Sequence, residues 1–142
     1  MAKQTRATLK TYFETGDFPT QAQFEDFIDS CVNISDDAVL TGSEASITAH
    51  AGGGQANAYQ LSKLVNNIAV CASPNDSVKL PTSYAGMWIC MSNATANTVQ
   101  VYPQSGGNID ALGVNNPFNL TTGKKAFFAS VGGNYWASIS SS

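Results

Sequence analysis

Met87-Trp88-Ile89-Cys90-Met91, the turn cluster Asn93-Ala94-Thr95-Ala96-Asn97, and then Thr98-Val99-Gln100-Val101-Tyr102 decide the fold. The first run is apolar on both faces, which marks a strand in the interior of an assembly. In the last run Val99 and Val101 point one way, as in a strand with one covered face. The pattern continues outward in both directions. Upstream, Ile68–Ala72 alternates, Ser73-Pro74-Asn75-Asp76 turns, and Val78 and Leu80 share a face before Pro81 stops the strand. Downstream, Gln104–Asn108 turns, and Ile109, Leu112 and Phe118–Leu120 follow. Thr122-Gly123 then precedes Lys125–Val131, and Gly132-Gly133-Asn134 makes a tight hairpin into Tyr135–Ile139. Strands at roughly ten-residue spacing with Gly and Asn turns predict a mainly β fold, an antiparallel β-sandwich or barrel. No internal repeat stands out.

A short helical hairpin precedes this β-domain. Leu9, Tyr12 and Phe13 fall at i, i+3, i+4, and Gly16-Asp17-Phe18-Pro19 breaks the pattern. Thr20 and Gln23 have capping-box spacing. Phe24, Phe27, Ile28 and Cys31 then recur at i, i+3, i+4, i+7 and form a one-sided stripe, with Glu25, Asp26 and Asp29 opposite. Two helices of about ten residues are marginal alone, so their aromatic faces must pack on each other and on something else. The expected organisation is a helix-turn-helix segment over 1–32, a connector over 33–54 and a β-domain over 55–142. The connector carries Asp36-Asp37, Gly42-Ser43 and Gly52-Gly53-Gly54, with a short strand at Ala45–Ala49.

Charge divides the chain in the same place. Met1–Glu44 has three basic and eight acidic residues, whereas Ala45–Ser142 has four lysines and two aspartates. That second stretch takes its polarity from Asn, Ser, Thr and Gly. Ordinary soluble domains are about a quarter charged. A body this neutral suits a β-structure that buries much of its surface against other subunits. No basic stripe is present for a nucleic-acid backbone, and no apolar run approaches the roughly 20 residues of a membrane span. No secretory leader is seen, so Cys31, Cys71 and Cys90 are expected as reduced, buried small hydrophobes.

Catalytic constellations are not expected either. The one histidine, His50, has no G-x-S-x-G elbow beside it. Gly52-Gly53-Gly54 lacks the G-K-[ST] of a phosphate loop and reads as a flexible joint. Asp36-Asp37 reads as solvated linker. Asp76 and Asp110 sit in turns, where Asp caps its own backbone. Lys124-Lys125 reads as a charge pair guarding an edge strand. Trp88, Tyr102, Tyr135 and Trp136 could form a sugar-stacking platform, but such residues more often belong to core or subunit interface, and that reading is preferred. No cofactor and no metal site is expected.

The segment Leu9–Ser30, LKTYFETGDFPTQAQFEDFIDS, resembles a stretch common near the N-termini of tailed-bacteriophage structural proteins. Gly53-Gly54-Gln55-Ala56, Asp76-Ser77-Val78-Lys79-Leu80-Pro81, Ala85-Gly86, Val99-Gln100-Val101-Tyr102-Pro103, Ser105-Gly106 and Asn108-Ile109 resemble a β-domain of phage fibre, spike and capsid-decoration proteins. The resemblance implies a virion part, assembled in the host cytoplasm and trimeric, and it transfers no active-site residue. One head and one body in 142 residues favour a capsid cement or decoration protein over a head fibre or tail fibre. The partners expected are two further copies and the major capsid protein or another virion component, with no nucleic acid and no membrane. Tyr12, Phe13, Phe24, Phe27 and Ile28 are the candidate anchoring residues, and Met87, Trp88, Ile89 and Met91 the candidate trimer interface. The competing class is a host-adhesion module that binds surface carbohydrate. Aromatics clustered on one open face would mark it.

Overall fold

The computed structural model describes residues 4–31 and 40–141, and the chain divides into two compact units between residues 39 and 40. The first holds α1 (Arg6–Lys10) and α2 (Gln21–Ser30). Thr20 caps α2 as its spacing predicts. Its hydroxyl accepts from the Gln23 N–H, and the Gln23 side chain accepts from the Thr20 N–H at 2.8 Å. α1 is shorter than the Leu9/Tyr12/Phe13 spacing suggests. It ends at Lys10, and Tyr12 and Phe13 follow in tight turns that donate to Leu9 and Lys10 carbonyls. The turn still carries Phe13 towards α2.

The second unit is all β and begins at Leu40. The strand expected within the connector is real. It is β1 (Ser43–Thr48), a member of the larger sheet paired with β3, so only residues 32–39 separate the units' described parts. Asp36-Asp37 lies outside the described residues. The remaining strands are β2 (Tyr59–Gln60), β3 (Val65–Val70), β4 (Ser77–Lys79), β5 (Trp88–Asn93), β6 (Val99–Tyr102), β7 (Asn108–Ile109), β8 (Phe118–Leu120), β9 (Lys125–Gly132) and β10 (Tyr135–Ser140).

The expected plain antiparallel sandwich is corrected by the topology. From β1 to β6 the chain steps alternately between a larger and a smaller sheet, and each strand lies parallel to the one a full coil earlier. Partners such as Ser43↔Val65↔Cys90 and Tyr59↔Val78↔Val101 advance by about 20–25 residues per coil, the period of a solenoid. Then the direction reverses. β8 pairs antiparallel with β6 and β9 with β5, which ends the parallel stack. β10 returns beside β9, and β7 closes the far edge. The sheets are ordered β1-β3-β5-β9-β10-β7 and β2-β4-β6-β8. Lys125 therefore guards no edge, because β9 runs between β5 and β10.

Between the sheets lies one apolar core. Ile47, Ile68, Ile89, Met91 and Phe128 face Val78, Leu80, Val99, Val101 and Leu120, all fully or almost fully buried. Corners between coils leave backbone groups without ladder partners, and uncharged or buried side chains satisfy them. Asn93 donates to the Asn97 and Leu120 carbonyls and accepts from Thr95, while Asn97 donates to the Cys71 and Ala72 carbonyls. Here the abundance of asparagine in a nearly chargeless body has a structural use.

One corner is tighter than its sequence suggests. Gly52-Gly53-Gly54 is no loose joint. A Cβ on Gly53 would stand 2.4 Å from the Asn75 carbonyl oxygen, at a φ of +70 that side chains rarely adopt. The Gly52 N–H donates to Asp76 at 3.2 Å, and the Ser77 hydroxyl donates to the Gly54 carbonyl. Asp76 is 1% exposed and also accepts from the Ala72 and Ser73 N–H groups at 2.8 and 3.1 Å. Its local capping matches the sequence reading, and it adds a bond to the preceding coil. Asp110 instead reaches across the chain to the Ser138 N–H and hydroxyl.

Candidate interaction surfaces

Each unit exposes an apolar surface among its described residues. In the helical unit, Phe13 meets Phe24 and Phe27 edge-on, each at 5.8 Å between ring centres. Tyr12 donates to Asp26 at 3.2 Å, and desolvation, then the Asp26 carboxylate, holds the phenol's pKa above its ordinary value. Yet no residue of either helix is buried. Phe13, Phe24 and Phe27 stay about half exposed, and Ile28 is 65% exposed. Arg6, Leu9, Lys10, Phe13 and Phe27 line an open groove of about 330 Å³. Four of the five expected anchoring residues thus share one patchwork of contacts: Phe13, Phe24 and Phe27 as a cluster, and Tyr12 tied to the same helix. Ile28 stands free beside them. Cys31, expected buried with this stripe, is exposed.

On the β-unit the surface is the outer face of the larger sheet. Alternation assigns the sides. Ile89 and Met91 point inward and are fully buried in the chain's own core, and Met87 packs half-buried against it. Ile89 and Met91 therefore offer no surface to a partner, because the smaller sheet covers their side, whereas Met87 keeps part of its surface open. Trp88 points outward, as does Cys90. β9 alternates likewise: Ala126, Phe128 and Ser130 are buried, whereas Phe127, Ala129 and Val131 face out. Cross-strand register then lines up Val65, Cys90, Phe127 and Ile139 in one row and Trp88, Ala129 and Ala137 in the next. The Trp88 and Phe127 rings stack at 5.2 Å and 26°. Val131 and Tyr135 extend the patch at the hairpin end. Sequence reasoning singles out Met87–Met91 as two-faced but passes over Phe127, Val131 and Ile139. The same signal, apolar residues at consecutive positions of Ala126–Val131, is there to find them.

The four aromatics considered for a sugar platform do not assemble into one. Trp136 is fully buried, and Tyr102 belongs to the smaller sheet, where its hydroxyl meets Gln100. Trp88 and Tyr135 alone share the outer face.

His50 lies at a coil corner, where its backbone pairs with Ser77 through bonds of 2.8 and 3.0 Å. Thr48, Ala49, His50, Ala51, Asn57 and Tyr59 line an open cleft of about 340 Å³ beside it, and none of these carries a carboxylate. The Tyr59 hydroxyl donates to Glu44 at 2.6 Å, which raises its pKa, with desolvation second. Because both His50 bonds are backbone bonds, His50→Ala should change stability by less than about 0.5 kcal/mol in urea denaturation. A loss above about 2 kcal/mol would show that the imidazole itself is structural.

All three cysteines are free. Cys71 is buried, Cys90 half-buried on the outer face, and Cys31 exposed. Burial, then the nearby Asp76 carboxylate, pushes the Cys71 thiol above its ordinary pKa and keeps it protonated. Among the described residues no three His, Cys, Asp or Glu stand close enough to hold a metal ion, and no helix is long and apolar enough to cross a membrane. No protein-family model, no curated protein and no solved structure matches this chain.

Proposed function

We propose that this chain is a structural, non-enzymatic virion protein: a homotrimeric capsid cement or decoration protein of a tailed phage, anchored to the particle by its helical hairpin. The observation that carries the anchoring is the half-exposed Phe13/Phe24/Phe27 cluster in a unit whose helices bury no residue. Covering one such side chain is worth roughly 1.5–3 kcal/mol, and three linked copies multiply the gain through avidity. The neutral β-body, rich in uncharged polar side chains, fits a part that projects from the particle. The resemblance of Leu9–Ser30 and of the body's turn motifs to phage structural proteins supports the same reading.

The Trp88/Phe127 stack is the observation that favours the second reading, a short head or tail fibre that binds host carbohydrate. Sugar sites also need polar side chains converging on the hydroxyls. The side chains around the stack are mainly Val65, Ala129, Val131, Ala137 and Ile139; Asn67 and Ser92, one row away, are bonded to each other, and Lys125 stands at the end of β9, so a protein surface fits better.

Replacing Phe24 and Phe27 together by Ser tests the anchoring. Particles assembled with the double variant should lose at least ten-fold of the bound chain in a sedimentation assay, while the purified variant keeps its β circular-dichroism signal. Undiminished decoration would refute the hairpin as anchor.

A further inference from the structure

We infer that the outer face of the larger sheet is the surface by which copies of this chain pack on one another. The inference rests on the homotrimeric reading above and gives it a location different from the buried side of Met87–Met91. Val65, Trp88, Phe127, Val131, Tyr135 and Ile139 are all substantially exposed, Ile139 at 73% and Val131 at 66%. Together they present on the order of 600 Å² of largely apolar surface, at the top of what a monomer ordinarily leaves open. A standard interface takes about 800 Å² from each partner. The patch with its Cys90, Ala129 and Ala137 surround therefore approaches the size a stable assembly needs.

Its chemistry selects the occupant. The rows Val65–Cys90–Phe127–Ile139 and Trp88–Ala129–Ala137 contain no charged side chain. One row further along, Lys125 is the single charged side chain among the outward-facing residues of β3, β5, β9 and β10, so a highly charged partner would leave most of its own charges desolvated and unpaired. A second copy brings the same largely apolar face, with its lysine at the rim. The strands β3, β5, β9 and β10 that carry it are hydrogen-bonded neighbours in one sheet, so the face is preformed and little ordering entropy opposes docking. Three copies that turn this face towards a common axis enclose Trp88, Phe127 and Ile139 in a shared core.

Light scattering on the full chain at micromolar concentration should give three times the 14.9 kDa of one chain. Val131→Lys with Ile139→Lys places three pairs of charges in that core and should reduce the mass to one chain, with an unchanged far-ultraviolet circular-dichroism spectrum. A second readout compares thiol reactivity. In the native assembly Cys31 should react with iodoacetamide freely while Cys90 is protected at least ten-fold relative to its rate in the monomeric variant. A wild-type chain of single mass, a lysine variant that keeps the trimer mass, or a Cys90 that reacts equally fast in both states overturns the inference. So does a monomeric wild type whose tryptophan fluorescence shifts on glycan titration, which would give the face to the adhesion reading. A monomer that still decorates particles through Phe24 and Phe27 would overturn this inference and leave the virion reading standing. A trimer that decorates nothing would do the reverse.

Discussion

Asp76→Ala should cost the β-unit about 3–4 kcal/mol, read as a lowered urea midpoint with an unchanged slope. Asp76 is a buried carboxylate held by three backbone N–H groups, from Gly52, Ala72 and Ser73. Its removal leaves three donors in a closed corner without an acceptor. Each orphaned donor costs roughly 1–3 kcal/mol, offset in part because a buried charge also disappears. Gly53 approaches the Asn75 carbonyl so closely that a Cβ would stand 2.4 Å from its oxygen, which leaves little space on that side of the corner for a replacement acceptor. Asp76→Asn keeps one acceptor oxygen and should lose about half as much. A change below about 1 kcal/mol for the alanine variant would mean that the corner is held by the ladder bonds between His50 and Ser77 alone.

The second large effect is expected from neighbours that point opposite ways. Phe128 is fully buried opposite Ile89, edge-on to Phe118 at 5.4 Å, where the parallel coils meet the antiparallel end. Phe128→Ala should destabilise the fold by about 3–5 kcal/mol, through lost transfer energy and the cavity left behind. Phe127 stands one residue away on the outer face. In the monomeric Val131→Lys/Ile139→Lys background, Phe127→Ala should cost about 1–2 kcal/mol of folding stability, well below Phe128→Ala, because the ring is partly exposed and gives up chiefly its stack on Trp88. In the wild-type chain the same substitution should weaken association, which shows as a mass that falls on dilution. Both measurements are to be made at one protein concentration, because assembly contributes to apparent stability. Equal folding costs at 127 and 128 in the monomeric background would contradict the assignment of sides along β9.

The β character is legible in the sequence because strand runs and turn clusters are local. Val99/Val101, Val78/Leu80 and the Gly132–Asn134 hairpin need only alternation and turn chemistry. Parallel pairing is not legible. It joins residues a full coil apart, such as Val65 and Cys90, and the coil length varies enough to hide the period. The expectation of a subunit interface at Ile89 and Met91 errs for a related reason. A run that is apolar on both faces says that both sides are covered, but not by what. For Ile89 and Met91 the cover is the smaller sheet of the same chain. Only Trp88 and Cys90 remain on the open side, and register with β9 and β10 is needed to join them to Phe127 and Ile139. Gly53 misleads in the same way, because a glycine triplet in sequence does not distinguish slack from a forced close approach. In the head, capping-box spacing places α2 correctly, whereas the i, i+3, i+4 pattern overextends α1, whose last aromatics sit in turns.

Electron cryo-microscopy of particles purified from cells that produce the chain tests most directly the proposal that it is a virion part, anchored by its hairpin and assembled in threes through its body. The expected result is three-fold density on the capsid, with the Phe13/Phe24/Phe27 hairpins against the shell and three β-bodies outward, their Trp88 faces turned to one another. Density that places single copies away from the capsid, or particles that lack the chain altogether, would contradict it.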